Sequence, residues 1–186
     1  NEAEIAQLIS LAQQGLVDIA VVGNEVLLRD ELSEDEVINY LKAVKHSIPN
    51  VPVSYVDTYY QLSQRPEIVA SCDLVLANCY PFWEGCNIDQ APIYLKKMYE
   101  VVKTTAKGKE VIITETGWPD SGEKMNDAVP SPENAMKYLI AANEWAKKEN
   151  VSLFTFSSFD EPWKVHHEGE VGQSWGIWDK NEHLKY

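Results

Sequence analysis

Positive charge is scarce in this 186-residue sequence. Lys and Arg number 16 against 29 Asp and Glu, a formal net charge of -13, and no basic cluster stands out. That argues against a nucleic-acid partner, which needs a basic footprint on the phosphates. It disfavours anionic ligands in general and leaves a neutral one compatible. Long apolar runs are missing too. None approaches the roughly 18 residues of a membrane span, so no membrane span is expected. The opening Asn1-Glu2-Ala3-Glu4 lacks the basic start and apolar stretch of a signal peptide and reads as the start of a helix, so any targeting segment is expected outside this chain. Only three cysteines occur, Cys72, Cys79 and Cys86. They form no CxxC pair, and an odd number cannot all pair internally; buried thiols are the simplest reading. The four histidines, His46, His166, His167 and His183, have no ligand spacing, so neither metal nor cofactor is expected. A glycine-rich phosphate turn is also lacking. Gly23-Asn24-Glu25 puts an acid where such a turn needs backbone donors, which removes the main mark of a doubly wound nucleotide binder.

What remains is a globular composition. Hydrophobic residues make up 45%, and the length suits one domain with a sizeable core. Aromatics are plentiful, with six Trp and nine Tyr. Such rings pack cores and also stack on flat ligand faces. A sequon, Asn150-Val151-Ser152, is a weak hint of glycosylation.

Five short apolar runs read as strands: Val17–Val26, Val51–Val56, Leu74–Tyr80, Glu110–Thr116 and Leu153–Phe159. Helical patterns fall between most of them. Glu2–Gln14 is amphipathic and ends at Gly15. Ser33 and Glu36 form a capping box before a helix to about Ser47. Pro66–Ser71 is a short helix, and Ala91–Thr105 stops near Gly108. Ser131-Pro132 opens the helix Glu133–Asn150. The last 27 positions, 160–186, read as a long loop. Apolar strands alternating with helices mean an α/β domain with a parallel sheet. A barrel expects its functional residues at the C-terminal ends of strands, and that is where the polar residues fall.

Two acids end strongly apolar strands, Glu25 and Glu115. By strand parity Glu25 goes with Val21 and Gly23, and Glu115 with Val111 and Ile113. Both would then face the mouth of a barrel. Two facing carboxylates can cleave a glycosidic bond, one protonating the leaving oxygen while the other attacks or activates water. Two solvated strand-end glutamates are the plainer alternative. Trp118 and Trp163 are open between core and ligand roles, and Glu161–Lys164 between ligand and surface ion pair. Tyr55, Asp57, Tyr59 and Tyr60, ending the second strand, and Trp83 with Glu84 after the third are further candidates for the same edge.

Four segments in order carry a family resemblance. Val22-Gly23-Asn24-Glu25-Val26 resembles the acid/base motif of glycoside hydrolase family 17, and Ile113-Thr114-Glu115-Thr116-Gly117-Trp118-Pro119 its nucleophile motif. Asn78-Cys79-Tyr80-Pro81 is similar to its strand-six segment, and Phe159-Asp160-Glu161-Pro162-Trp163-Lys164 to its strand-eight motif. The resemblance implies a (β/α)8 TIM barrel and a retaining β-1,3-glucan hydrolase or glucanosyltransferase that needs no metal. It implies Glu25 as general acid/base and Glu115 as nucleophile, with carboxyl groups about 5–5.5 Å apart. Asn24 would bond the sugar 2-hydroxyl, Tyr80 would orient Glu115, Trp118 would wall the sugar, and Glu161 and Lys164 would serve the same subsite. The implied partner is a β-glucan polysaccharide or oligosaccharide, in an extracellular or cell-envelope setting.

A complete barrel has eight strands; the five here match strands four to eight. The chain therefore reads as a single, partial catalytic domain, residues 1–186. Association with a missing N-terminal barrel segment, or with itself, is expected to cover the open strand edges. A non-catalytic glucan-binding or structural fragment is the rival reading.

Overall fold

The computed structural model describes residues 1–186. Five strands form one sheet in chain order, β1-β2-β3-β4-β5, and the chain divides into two compact units. One comprises Asn1–Asn78 with Tyr99–Ile112, the other Cys79–Met98 with Ile113–Tyr186.

In the first unit, α1 (Glu2–Gln13) leads to β1 (Ala20–Asn24), α2 (Glu34–Ser47), β2 (Val53–Thr58), α3 (Tyr59–Ser63), α4 (Pro66–Ser71) and β3 (Val75–Asn78). The capping box at Ser33 forms: the Glu36 carboxylate accepts the Ser33 backbone N–H at 2.8 Å, and Ser33 Oγ accepts the Glu36 N–H at 3.4 Å. Val37, Leu41 and Val44 make the buried stripe of α2, at the i, i+4, i+7 spacing that puts them on one helical face. The pairs β1–β2 and β2–β3 are parallel, with Ala20 opposite Val53 and Val56 opposite Leu76. Val56, Leu74, Leu76 and Ile112 pack as one buried cluster.

β1 is shorter than the sequence suggests. Its ladder starts where Ala20 N–H reaches Pro52 O at 2.9 Å, so Val17, Asp18 and Ile19 stay outside it. Its register shifts between Val21 and Asn24, which breaks the parity argument for Glu25. Val21 is 43% exposed, whereas Val111 and Ile113 are buried. Val21 instead lines a cavity of about 390 Å3 with Ile5 and Leu8 of α1, Val26, Leu32 and Tyr40.

Lys109 fastens the C-terminal end of α4. Its Nζ donates to Val69 O at 2.7 Å, Ala70 O at 2.9 Å and Cys72 O at 2.6 Å, three carbonyls at the end of the helix, where backbone acceptors run short of intrahelical donors. Replacing Lys109 with Met is expected to lower stability by about 1–3 kcal/mol, the scale of hydrogen bonds to a charged donor. Urea unfolding should show this as a lower midpoint with an unchanged slope.

In the second unit, α5 (Ala91–Ala106, shared with the first unit) and β4 (Val111–Thr116, likewise shared) are followed by α6 (Pro132–Glu149) and β5 (Ser152–Thr155). Ser131 Oγ caps α6 by accepting Asn134 N–H at 3.1 Å. Asn150 ends it in a left-handed conformation, giving the sequon asparagine a structural role at the helix end. The final stretch is not a loop throughout. It holds two 3-10 turns, Pro162–Lys164 and Glu170–Gln173, around the one-turn α7 (Val165–Glu168), which carries His166 and His167. Phe159 and Leu184 bridge to Trp178 on either side. No helix in the chain is long and apolar enough to cross a membrane.

Candidate active-site residues

In the first unit, Glu25 stands just past β1 with a left-handed backbone, φ 55°, rather than on the strand. Its N–H donates to Val56 O at 2.9 Å. Asn78, at the end of β3, donates its side-chain amide to Glu25 Oε1 at 2.8 Å and to Asn24 Oδ1 at 3.2 Å. The ends of β1 and β3, on either side of β2, thus bring Asn24, Glu25 and Asn78 together. Arg29 joins from the following turn, donating to Asn24 O at 2.9 Å and standing 4.0 Å from Glu25 Oε2. Most of the Arg29 fork is committed to Glu31, at 2.8 and 3.0 Å. Asn78 and Arg29 were missed as individual site residues. The Asn78 signal was available, since a polar amide ending a wholly buried strand needs a partner.

In the second unit, Glu115 is on β4, two residues beyond buried Ile113. Tyr80 Oη donates to Glu115 Oε2 at 2.7 Å. The Tyr80 ring meets Trp175 edge-on at 5.3 Å and Phe156 at 6.0 Å. Lys164 Nζ lies 4.0 Å from the centre of the Phe156 ring and pairs with Glu161 at 2.8 Å. Glu115, Tyr80, Phe156, Lys164 and Glu161 are therefore linked by contacts within one unit.

Gly117 makes the close approach of β5 possible. A Cβ there would stand 2.1 Å from Phe156 O, so only glycine fits. Trp118 is 3% exposed. Its indole N–H is spent on Val129 O at 3.0 Å, and its ring packs against Phe82 and Tyr138. The more accessible indole nearby is Trp83, 37% exposed, which packs on Phe82 and Trp175. Trp163 is 64% exposed. Trp175 is the aromatic hub that sequence reading passed over, because the turns around it are too short to give a period.

The remaining candidates separate. Tyr55 and Asp57 are fully buried in the first unit, which removes them as ligand contacts. Tyr59 and Tyr60 fall on α3, stacked edge-on at 5.6 Å. The cysteines are free thiols; Cys79 is fully buried, and burial pushes its thiol above the ordinary range, the setting of a structural cysteine.

Known proteins resemble the chain along most of its length. The family model of the BtgE/BtgC glycoside hydrolase domain matches residues 1–176. A glucan 1,3-beta-glucosidase of Candida albicans is 31% identical over 91% of the chain and 62% of its own length. A probable glucan endo-1,3-beta-glucosidase of Aspergillus fumigatus is 30% identical over 89% of the chain and 28% of its own length. The chain thus spans about three fifths or less of these curated relatives. Among solved structures, a glycoside hydrolase family 17 β-1,3-glucanosyltransferase from Rhizomucor miehei matches with a TM-score of 0.89 and 32% identity, over 98% of the chain and 68% of that structure. An endo-laminarinase from Formosa matches with a TM-score of 0.83 at 18% identity, over 96% and 59%, a likeness of fold alone. The five strands and their helices are those of a partial TIM barrel.

Proposed function

The chain belongs to the BtgE/BtgC glycoside hydrolase domains and to glycoside hydrolase family 17, and from that premise we propose that it cleaves β-1,3-glucan by a retaining double displacement through Glu25 and Glu115. The observation that carries this reading is that each glutamate accepts a hydrogen bond from a neutral donor, Asn78 on Glu25 and Tyr80 on Glu115, with Arg29 4.0 Å from the other Glu25 oxygen. A hydrogen bond from a phenol orients a carboxylate without neutralising it, as a nucleophile requires. Glu115 attacks the anomeric carbon while Glu25 protonates the departing oxygen. Glu25 then takes a proton from the incoming water as the glycosyl–Glu115 bond breaks.

The other residues serve binding. Asn24 is assigned to the sugar 2-hydroxyl, a contact that tightens in the transition state. Glu161 and Lys164 form a polar pair for the same subsite. Trp118 shapes the wall from behind, through Phe82 and Trp83. Eight strands make a barrel, so turnover is expected once the three strands not counted here are supplied, on the same chain or by a partner.

Laminarin hydrolysis followed by proton NMR tests the reading. The first product to accumulate should carry a β-anomeric proton. An α product at early times would mean inversion, and no turnover with all eight strands supplied would favour a non-catalytic glucan-binding fragment. The likeness to a glucanosyltransferase favours a second reading, in which another glucan hydroxyl replaces water as acceptor. Products longer than the substrate at high oligosaccharide concentration would support it.

A further inference from the structure

We propose that Tyr55 and Asp57, both buried in the first unit, are positioning residues for Glu25, a brace that fixes the short backbone segment on which the acid/base is carried. Both have 0% exposure, so neither touches substrate. The Tyr55 hydroxyl donates to Asp57 Oδ2 and accepts the Leu27 backbone N–H at 3.0 Å. Asp57 Oδ1 accepts the Thr58 N–H at 2.8 Å. The single phenol proton is committed to the carboxylate, which leaves the oxygen lone pairs facing the loop. The Tyr55 ring lies close to the start of the loop: a Cβ on Gly23 would stand 3.3 Å from it.

Residues 23–27 are therefore tied at three points, by packing at Gly23, by the Glu25 N–H on Val56 O and by the Leu27 N–H on Tyr55. Glu25 sits between the outer two ties with φ 55°, a conformation that persists in a non-glycine residue only when its surroundings over-determine it. Burial, and then the bond to Asp57, push the Tyr55 phenol far above its ordinary range, so the hydroxyl keeps its proton. Without the phenol oxygen, a loop N–H and one carboxylate oxygen would lose their buried partner.

The kinetic half of the test rests on Glu25 being the acid/base; the exchange half does not. By amide hydrogen exchange, Leu27 should be protected like the core amides of α2 although it lies in a loop. In Tyr55→Phe and Asp57→Asn its protection should fall at least about tenfold further than that of Leu41, a local opening. In an active form, both variants should lose roughly 10–100-fold in kcat/KM on laminarin, the scale of a catalytic group displaced by about an ångström. A 2,4-dinitrophenyl β-laminaribioside, whose leaving group needs little proton assistance, should lose far less. Fast exchange of Leu27 in the parent chain overturns the proposal. So do unchanged Leu27 protection in both variants, or equal losses on the two substrates. If the parent form turns over neither substrate, the assignment of Glu25 fails, and the exchange result still decides the brace.

Discussion

Changing Glu115 to Gln, in a form that turns over laminarin, is expected to reduce kcat by at least about 10^4-fold, as when other enzymes lose their nucleophile. The substitution isolates chemistry from architecture. The Gln side-chain oxygen still accepts the Tyr80 hydroxyl, which donates to Glu115 at 2.7 Å, and the strand position between buried Ile113 and Thr116 is unchanged. What disappears is the negative charge proposed to attack the anomeric carbon. Laminaritriose binding, followed by calorimetry, should stay within a few-fold of the parent while turnover collapses. Residual turnover above about one per cent would show that another group attacks, and the double-displacement scheme would have to be abandoned.

Removal of Glu25 should behave differently. Glu25→Ala is expected to lose roughly 10^2–10^4-fold on laminarin, the usual contribution of general acid–base catalysis. On an aryl glycoside with a good leaving group, formation of the glycosyl enzyme needs little acid and should survive. Its breakdown should then stall for want of a base. Azide needs no base, so it should restore turnover and give a β-glycosyl azide, because two displacements return the original configuration. Product analysis by NMR separates the outcomes. An α-glycosyl azide from the Glu25 variant, the product of a single displacement, would exchange the two roles.

These substitutions were suggested by sequence, and the reason is local. Glu115 could be placed from its neighbours, since Val111, Ile112 and Ile113 are buried and β4 is regular through Thr116. Strand alternation gives the acid the parity of Val111 and Ile113. The same reasoning failed for Glu25. Its strand shifts register after Val21 and its backbone turns left-handed, and neither event is written in hydrophobic periodicity. The alternation of strands and helices was legible because α2, α5 and α6 are 14, 16 and 18 residues long, enough turns to show a period. α3 and the turns after Pro162 are too short for that, so Trp175 and its contacts were hidden. Asn78, Tyr55 and Asp57 are a different case. Their roles depend on partners 53, 28 and 2 positions away, and pairings of the first two kinds exist only once the sheet has assembled.

The left-handed backbone at Glu25 has an evolutionary consequence. A non-glycine residue in that region costs on the order of 1 kcal/mol, so the protein carries a standing loss of stability at the position of the proposed proton donor. Glycine or asparagine would relieve it. Selection for thermal resistance alone would therefore favour erasing this side chain, and variants sorted only by melting temperature would drift toward inert forms. On the role proposed for Glu25, activity and stability pull in opposite directions at this torsion.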